Sequence, residues 1–211
     1  MYNILIVDDQ KSSRELLKYN VLEDKEYNII GEIEDASKTL EFCKCNKVDL
    51  ILMDIYTAGK ENGIKNAKII KQKLPNIKVI IVTYMVQPEH IEEAKSVGLE
   101  GFWFKDYGDK VLLDVMHNVM NGNYVYPDKI PTVKIGRASI KDFTKQEINV
   151  LRLKVNGYSN AETCEKLRIT KSTLDFHISN LKSKTGYDNM LKLIIEVAMK
   201  KFIIADEKNK K

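Results

Sequence analysis

The first half of the chain alternates short apolar runs with segments whose apolar residues recur every three or four positions. Short runs are typical of buried strands, and the second pattern is typical of amphipathic helices. Strands that alternate with helices predict a parallel sheet covered on both faces, which is an α/β doubly wound fold. The predicted strands are Asn3–Val7, Asn28–Ile33, Leu50–Met53, Lys78–Thr83 and Gly101–Phe104. The predicted helices are Ser12–Leu22, Ser37–Cys45, Ile64–Leu74, Glu89–Val97 and Asp109–Met120.

The last third of the chain shows only helical patterns. Thr144, followed three residues later by Glu147, forms a capping box that predicts a helix running toward Asn156 and ending at Gly157. Three more helices follow, and the four together predict a small all-α domain. The three are capped by Ser159, by Thr170 or Ser172, and by Asn189, and they end near Leu167, Lys184 and Lys201.

Residues 123–142 separate these two patterns. They include Pro127, Pro131 and Gly136 and have no long periodic stretch, which favours a linker. The sequence therefore predicts a first domain at residues 1–122, a linker at 123–142 and a second domain at 143–211.

The two halves carry opposite net charge, although the 211-residue chain as a whole is at +4. Residues 1–123 hold 16 Lys and Arg against 20 Asp and Glu, whereas residues 124–211 hold 18 against 10, so the net charges are −4 and +8. A basic second half suggests a polyanionic partner, either nucleic acid or an anionic membrane surface. The sequence shows no membrane-spanning run and no secretory signal pattern, so we expect a cytoplasmic protein.

Five residues with charged or reactive side chains stand where predicted strands end. Asp8 and Asp9 follow the first strand, Asp54 follows the third, Thr83 ends the fourth and Lys105 follows the fifth. Ligands of doubly wound sheets bind at the carboxyl ends of the strands. Clustered carboxylates repel one another unless a cation neutralises them, and an all-oxygen site suits Mg²⁺. One carboxylate can then attack a phosphoryl donor while the ammonium and hydroxyl receive the phosphoryl oxygens.

These positions resemble the receiver domain of bacterial response regulators over about Met1–Asn121. The matching segments are Asp8-Asp9, Leu52-Met53-Asp54, Val82-Thr83 and Phe104-Lys105-Asp106. The resemblance implies a flavodoxin-like, five-stranded sheet and makes Asp54 the phosphoacceptor. It assigns Mg²⁺ binding to Asp8, Asp9, Asp54 and the backbone carbonyl of Tyr56. It assigns phosphoryl contact or switching to Thr83, Lys105 and Phe102.

Three features depart from the receiver pattern. The loop after the acceptor, Tyr56–Gly63, lacks the usual proline and is one residue longer. Tyr84 stands where the family usually has a small residue, and Tyr56 lies two positions beyond Asp54. We hypothesise that both rings crowd the mouth of the pocket and slow phosphoryl entry and hydrolysis.

The third helix of the second domain has the position of a DNA-reading helix. It follows a helix pair by a short turn, as in a helix-turn-helix. Segments Phe143–Leu151, Gly157–Asn160 and Thr170–Leu181 resemble the DNA-binding domain of the LuxR and NarL/FixJ group. Asp175 stands at a base-reading position where lysine is common, which predicts a weaker or unusual sequence preference. The predicted DNA contacts are Lys171, Ser172, Thr173, Asp175, Phe176, Ser179, Lys182 and Lys184.

A receiver joined to such a reader implies a two-component response regulator. It is not expected to be an enzyme, apart from slow loss of its own phosphoryl group. Phosphorylation of Asp54 by a sensor histidine kinase is expected to promote homodimerisation and binding to promoter DNA. The resemblance also allows RNA polymerase as a partner. No membrane partner is expected.

Three other functions compete with this one. A phosphorylation-independent DNA binder, whose pocket is vestigial or regulated by another ligand, stays open because Tyr56 and Tyr84 could block the site. A phosphatase that uses Asp54 as nucleophile would need a second aspartate two residues later, where this chain has Tyr56. Membrane binding by the basic half is disfavoured, because its charges follow a helix-turn-helix pattern rather than one amphipathic face.

Overall fold

The computed structural model describes residues 1–58, 62–84, 87–106, 111–130, 134–139 and 142–200. The chain divides into two compact units, Met1–Ile130 and Pro131–Lys211. No helix in the described ranges is long and apolar enough to cross a membrane.

The first unit is a five-stranded parallel sheet with helices between the strands, as the sequence predicts. The strand order is β2-β1-β3-β4-β5. The strands are β1 (Tyr2–Val7), β2 (Tyr27–Ile33), β3 (Leu50–Met53), β4 (Lys78–Thr83) and β5 (Gly101–Phe104). The helices are α1 (Lys11–Leu22), α2 (Thr39–Cys45), α3 (Gly63–Lys73), α4 (Pro88–Val97) and α5 (Leu112–Met120), with a 3-10 turn at Ala36–Lys38 before α2. Asp109, the predicted start of α5, lies outside the described residues.

The central strands are buried on both faces, which explains why they read as continuous apolar runs. All four residues of β3 have no exposed surface, and the same holds for the last four residues of β1. One face of the sheet packs against Leu17 and Val21 of α1 and against Val115 and Val119 of α5. This two-sided burial fixes the carboxyl ends of β1 and β3 side by side.

Part of the predicted linker belongs to the sheet of the first unit. Val125 forms a parallel bridge to Gly101, accepting a hydrogen bond from the amide of Phe102 (2.9 Å) and donating one to the carbonyl of Glu100 (2.8 Å). The Tyr126 hydroxyl donates to the carbonyl of Leu99 at 2.6 Å. The chain after α5 therefore covers the outer edge of β5.

The second unit is helical, as predicted, with one addition. Its helices are α6 (Lys145–Val155), α7 (Asn160–Leu167), α8 (Lys171–Thr185) and α9 (Met190–Met199). The capping box of Thr144 and Glu147 is present, and Thr170, rather than Ser172, caps α8. A second capping box joins Ser159 to Glu162 at the start of α7. Lys201, the predicted end of the last helix, lies outside the described residues.

The addition is a small antiparallel hairpin, β6 (Lys134–Ile135) with β7 (Ala138–Ser139), inside the predicted linker. Two-residue strands are too short to show any periodicity, so the pattern gave no sign of them. The turn residue Gly136 has a φ of +56°, and a Cβ there would lie 2.1 Å from the carbonyl oxygen of Thr185. The Arg137 amide donates to that same oxygen at 3.0 Å. Residues 134–139 of the predicted linker therefore dock on the end of α8.

Gly63 allows α3 to begin directly against the backbone of Asp54. A Cβ at Gly63 would lie 1.9 Å from the Asp54 carbonyl oxygen and 2.9 Å from Cγ of Met53. In an open helix, Gly→Ala raises stability by about 1 kcal/mol. We expect Gly63→Ala to lower the free energy of unfolding by about 1 to 3 kcal/mol, because the neighbouring backbone cannot yield without strain.

Urea unfolding followed by circular dichroism measures this change. Lys68→Ala, on the exposed face of the same helix, is the control and should stay within about 0.5 kcal/mol of the wild type. A Gly63→Ala protein as stable as the wild type would show that the α3 start can move away from Asp54.

Candidate functional site

The structure brings the five predicted strand-end residues to one edge of the sheet. Asp8, Asp54, Thr83 and Lys105 are buried there, and Asp9 is half-buried. The Lys105 ammonium donates to Oδ2 of Asp8 and lies 3.3 Å from Oδ2 of Asp54. One carboxylate oxygen from each of Asp8, Asp9 and Asp54 lies within 4.8 Å of the other two. The Lys105 amide donates to the carbonyl of Thr83 at 2.9 Å, which fixes the ends of β4 and β5 together.

Burial dominates the electrostatics of Asp54. It raises the pKa of this carboxyl to about 6, with the Lys105 ammonium opposing the rise and the Asp8 carboxylate adding to it. The amide of Ile55 donates to Oδ1 of Asp54 at 2.7 Å. Burial also opposes the charged form of Lys105, but the carboxylates of Asp54 and Asp8 outweigh it and raise the pKa of the ammonium. Lys105 is therefore held as a cation between two acidic groups.

The chemistry of these groups fits a divalent cation. Three carboxylates and one ammonium leave a net charge of about −2 when all are ionised, and Mg²⁺ would neutralise it. Carboxylate oxygens are the ligands that this hard cation takes. The backbone carbonyl of Tyr56, two residues after Asp54, stays a predicted fourth ligand.

A buried hydroxyl that the sequence analysis did not single out also faces this pocket. Ser13, in the first turn of α1, has no exposed surface, and its Oγ donates to Oδ2 of Asp8 at 2.5 Å. Ser13 shares the buried stripe of α1 with Leu17 and Val21. A hydroxyl on an otherwise apolar stripe, just after a pair of aspartates, was the signal that could have revealed it.

One aromatic ring packs on a pocket residue, and others stand on the strands and loops that carry the pocket. Tyr84 is 6% exposed, and its ring centroid lies 4.9 Å from Nζ of Lys105, a cation–π distance. The Tyr56 hydroxyl lies 3.3 Å from Nε2 of His90 in α4. Phe102 is buried in β5 with its ring centroid 5.2 Å from that of Phe104. Residues 59–61 of the loop after Asp54 lie outside the described residues.

In the second unit, most of the predicted DNA contacts line the accessible side of α8. Lys171, Ser172, Asp175 and Ser179 are exposed, and Phe176 is 62% exposed despite its large apolar ring. Thr173 and Lys182 are half-buried.

Lys184 differs from the other predicted contacts. Its ammonium donates to both carboxylate oxygens of Glu147, at 2.7 and 3.0 Å, and Glu147 is 1% exposed. This ion pair ties α8 to α6 and neutralises a buried charge. If Lys184 turned to a DNA phosphate, the Glu147 carboxylate would stay buried without an opposite charge. The pairing therefore argues against the predicted phosphate contact of Lys184.

Comparison with known proteins follows this division into two units. The family model described as response regulator receiver domain matches residues 4–117, and the model described as bacterial regulatory proteins, luxR family, matches residues 141–197. The transcriptional regulatory protein LnrK of Bacillus subtilis is 29% identical over 200 residues, covering 87% of this chain and 90% of LnrK. The transcriptional regulatory protein DegU of Brevibacillus brevis is 25% identical over 216 residues, covering 92% of this chain and 91% of DegU.

Solved structures show the same fold. The response regulator RcsB of Salmonella typhimurium matches with a TM-score of 0.58 and 20% identity, covering 94% of this chain and all of that chain. A complex of RcsB with DNA matches with a TM-score of 0.56 and 22% identity, covering 93% of this chain and 98% of that chain. The chain therefore belongs to the response regulators that join a receiver domain to a LuxR-type DNA-binding domain.

Proposed function

We propose that phosphorylation of Asp54 by a sensor histidine kinase controls how this transcription regulator dimerises and binds promoter DNA. The observation that carries the proposal is the Asp54 carboxylate, buried at the strand edge beside Asp8 and Lys105. In this assignment, residues 1–122 form the receiver, 123–142 connect the domains and 143–211 form the DNA-binding domain.

Each polar group of the pocket has a part in phosphoryl transfer. Oδ2 of Asp54 faces the Lys105 ammonium at 3.3 Å, while Oδ1 is held by the Ile55 amide. The Asp54 carboxylate attacks the phosphorus of the kinase phosphohistidine, so that an O–P bond forms as the P–N bond breaks and the histidine imidazole leaves. The Lys105 ammonium and the Thr83 hydroxyl then bind the phosphoryl oxygens. Asp8, Asp9, Asp54 and the Tyr56 carbonyl would hold Mg²⁺, which supplies positive charge to the phosphoryl oxygens when bound.

The switch starts at the same residues. A phosphoryl group carries about two negative charges, and in the buried pocket it replaces the single negative charge of the Asp54 carboxylate. Thr83 at the end of β4 and Phe102 in β5 shift toward a new arrangement, and the α4–β5 surface changes with them. To turn a mostly inactive population into a mostly active one, phosphorylation must change the free-energy difference between the inactive and active states by about 5.5 kcal/mol.

The exposed side of α8 is the DNA-reading surface of this proposal. The helix N-terminus offers Lys171, Ser172 and Thr173 to phosphates, and Lys182 adds a further positive charge. Asp175, Phe176 and Ser179 face the bases. Asp175 can accept a hydrogen bond from a cytosine amino group, and Phe176 can contact a thymine methyl. A homodimer reads two half-sites related by two-fold symmetry.

One observation favours a second candidate, a DNA binder that works without phosphorylation. The Tyr84 ring packs over the Lys105 ammonium, and Lys105 is already bonded to Asp8. A pocket closed in this way would reject a phosphoryl donor. Treatment with acetyl phosphate and Mg²⁺ separates the two candidates.

Incubation of the full chain with acetyl phosphate and Mg²⁺ should add one phosphoryl group and reduce the elution volume in gel filtration, because the modified protein dimerises. Intact mass spectrometry detects the addition. Asp54→Asn and EDTA should each abolish it, since one removes the nucleophile and the other removes the cation. Asp106→Asn, an exposed carboxylate next to Lys105, is the control and should behave as the wild type. Unmodified wild-type protein that binds promoter DNA equally well with and without the donor would favour the second candidate.

Replacement of Tyr84 should shorten the lifetime of the phosphorylated state. The Tyr84 ring packs over Lys105, where it shields the phosphoryl group from water, so Tyr84→Ala should speed dephosphorylation by roughly 2- to 30-fold, which corresponds to about 0.5 to 2 kcal/mol in the barrier. The rate is measured from the decay of the phosphorylated mass after donor removal. Tyr84→Phe keeps the ring and should decay as the wild type does. Equal lifetimes in all three proteins would contradict the idea that this ring limits access to the pocket.

Reversal of the Asp175 charge should strengthen DNA binding and make it more sensitive to salt. One new phosphate contact steepens the slope of log affinity against log salt by about 0.9. Fluorescence anisotropy of Asp175→Lys on promoter and random duplexes, over a range of salt concentrations, measures this slope. Asp188→Lys makes the same charge change outside α8, at a side chain that is 85% exposed, and should have a smaller effect. An Asp175→Lys protein with wild-type affinity and slope would remove Asp175 from the interface.

A further inference from the structure

The Asp8 carboxylate is held from two independent directions. Its Oδ2 accepts hydrogen bonds from the Ser13 hydroxyl, at 2.5 Å, and from the Lys105 ammonium. Its Oδ1 accepts from the amide of Gln10 at 2.8 Å. Ser13 and Gln10 both belong to the start of α1, whereas Lys105 follows β5 at the other side of the pocket.

The two donors to Oδ2 differ in what else they must do. The Lys105 ammonium also lies 3.3 Å from Asp54, and in the proposed function it turns to the phosphoryl group carried there. That turn withdraws a charged donor from Asp8. The Ser13 hydroxyl has no second hydrogen-bond partner among the described side chains, so no competing group there draws it away from Oδ2.

The position of Ser13 is fixed by the helix that carries it. Leu17 and Val21, one and two turns further along the same buried stripe, lie in the core with no exposed surface. Arg14, the next residue, donates to the Asp8 carbonyl at 2.8 Å and pairs with Glu32 at 3.1 Å. The hydroxyl is therefore presented to Asp8 by a helix start that the core and an ion pair both hold in place.

We propose that Ser13 is a positioning residue for Mg²⁺, one that keeps the Asp8 carboxylate in its metal-binding orientation while Lys105 moves to the phosphoryl group. The inference rests on the proposed function and deepens it. A hydrogen bond of this kind behind a ligating carboxylate orients the ligand, and its loss commonly weakens metal binding 10- to 100-fold. Because the donor is neutral and the acceptor is charged, the bond also belongs to the stronger class of hydrogen bonds.

Isothermal titration of the full chain with Mg²⁺ tests the proposal. Ser13→Ala should raise the dissociation constant by about tenfold or more. Ser12→Ala, at the exposed neighbouring position, is the matched control and should bind as the wild type does. Ser13→Thr keeps the hydroxyl and should restore binding to within about threefold of the wild type.

Thermal unfolding separates orientation from a purely structural role. A structural role would lower the midpoint of Ser13→Ala equally with EDTA and with Mg²⁺. If Ser13 orients Asp8, Mg²⁺ should stabilise Ser13→Ala less than it stabilises the wild type. A tenfold weaker site lowers the stabilisation by saturating Mg²⁺ by about 1.4 kcal/mol.

Three results would overturn the inference. Wild-type Mg²⁺ affinity in Ser13→Ala would show that the hydroxyl is not needed, while leaving the proposed function intact. A Ser13→Thr protein as weak as Ser13→Ala would assign the loss to packing. A wild-type protein that binds no Mg²⁺ would overturn both this inference and the metal assignment in the proposed function.

Discussion

The ammonium of Lys105, buried between the carboxylates of Asp8 and Asp54, is the interaction on which the first unit's site depends. Removing such charges from water costs several kcal/mol per ion, and only close opposite charges with further hydrogen bonds offset that cost. The parallel order β2-β1-β3-β4-β5 meets this condition, because it sets the ends of β1, β3 and β5 around one small volume. The groups that balance the Lys105 charge are therefore also the groups that act on the phosphoryl donor in the proposed function.

In the second unit, too, one buried charged side chain has two roles. The buried carboxylate of Glu147 accepts from the Thr144 amide at 2.7 Å, as the capping box of α6, and also from Lys184 of α8. One side chain thus begins a helix and joins it to α8, the proposed reading helix. Because Lys184 is paired with Glu147, the positive charge that α8 offers to phosphates in the proposed function comes from Lys171 and Lys182, and Asp175 subtracts from it. The proposed reading surface is consequently less basic than the net charge of the second half suggests.

Sequence patterns predicted the strands and helices well where burial makes several consecutive or regularly spaced residues apolar. The β3 strand is apolar throughout because both of its faces are covered, and the capping box at Thr144 is a local pattern that needs no tertiary information. The convergence of Asp8, Asp54, Thr83 and Lys105 followed from the parallel order alone. The β6–β7 hairpin was missed because its strands are two residues long and depend on docking against Thr185. Ser13 and the Lys184 pair were missed because a single side chain's partner depends on tertiary placement.

The bridge between Gly101 and Val125 bears on how the chain leaves the first unit. An open strand edge invites pairing with foreign strands, and Val125 closes this edge with the molecule's own backbone. The hydrogen bond from the Phe102 amide to the Val125 carbonyl joins the segment after α5 to β5. A shift of β5 would therefore carry Val125 with it, so the backbone that follows α5 and the strand beside the pocket form one hydrogen-bonded layer.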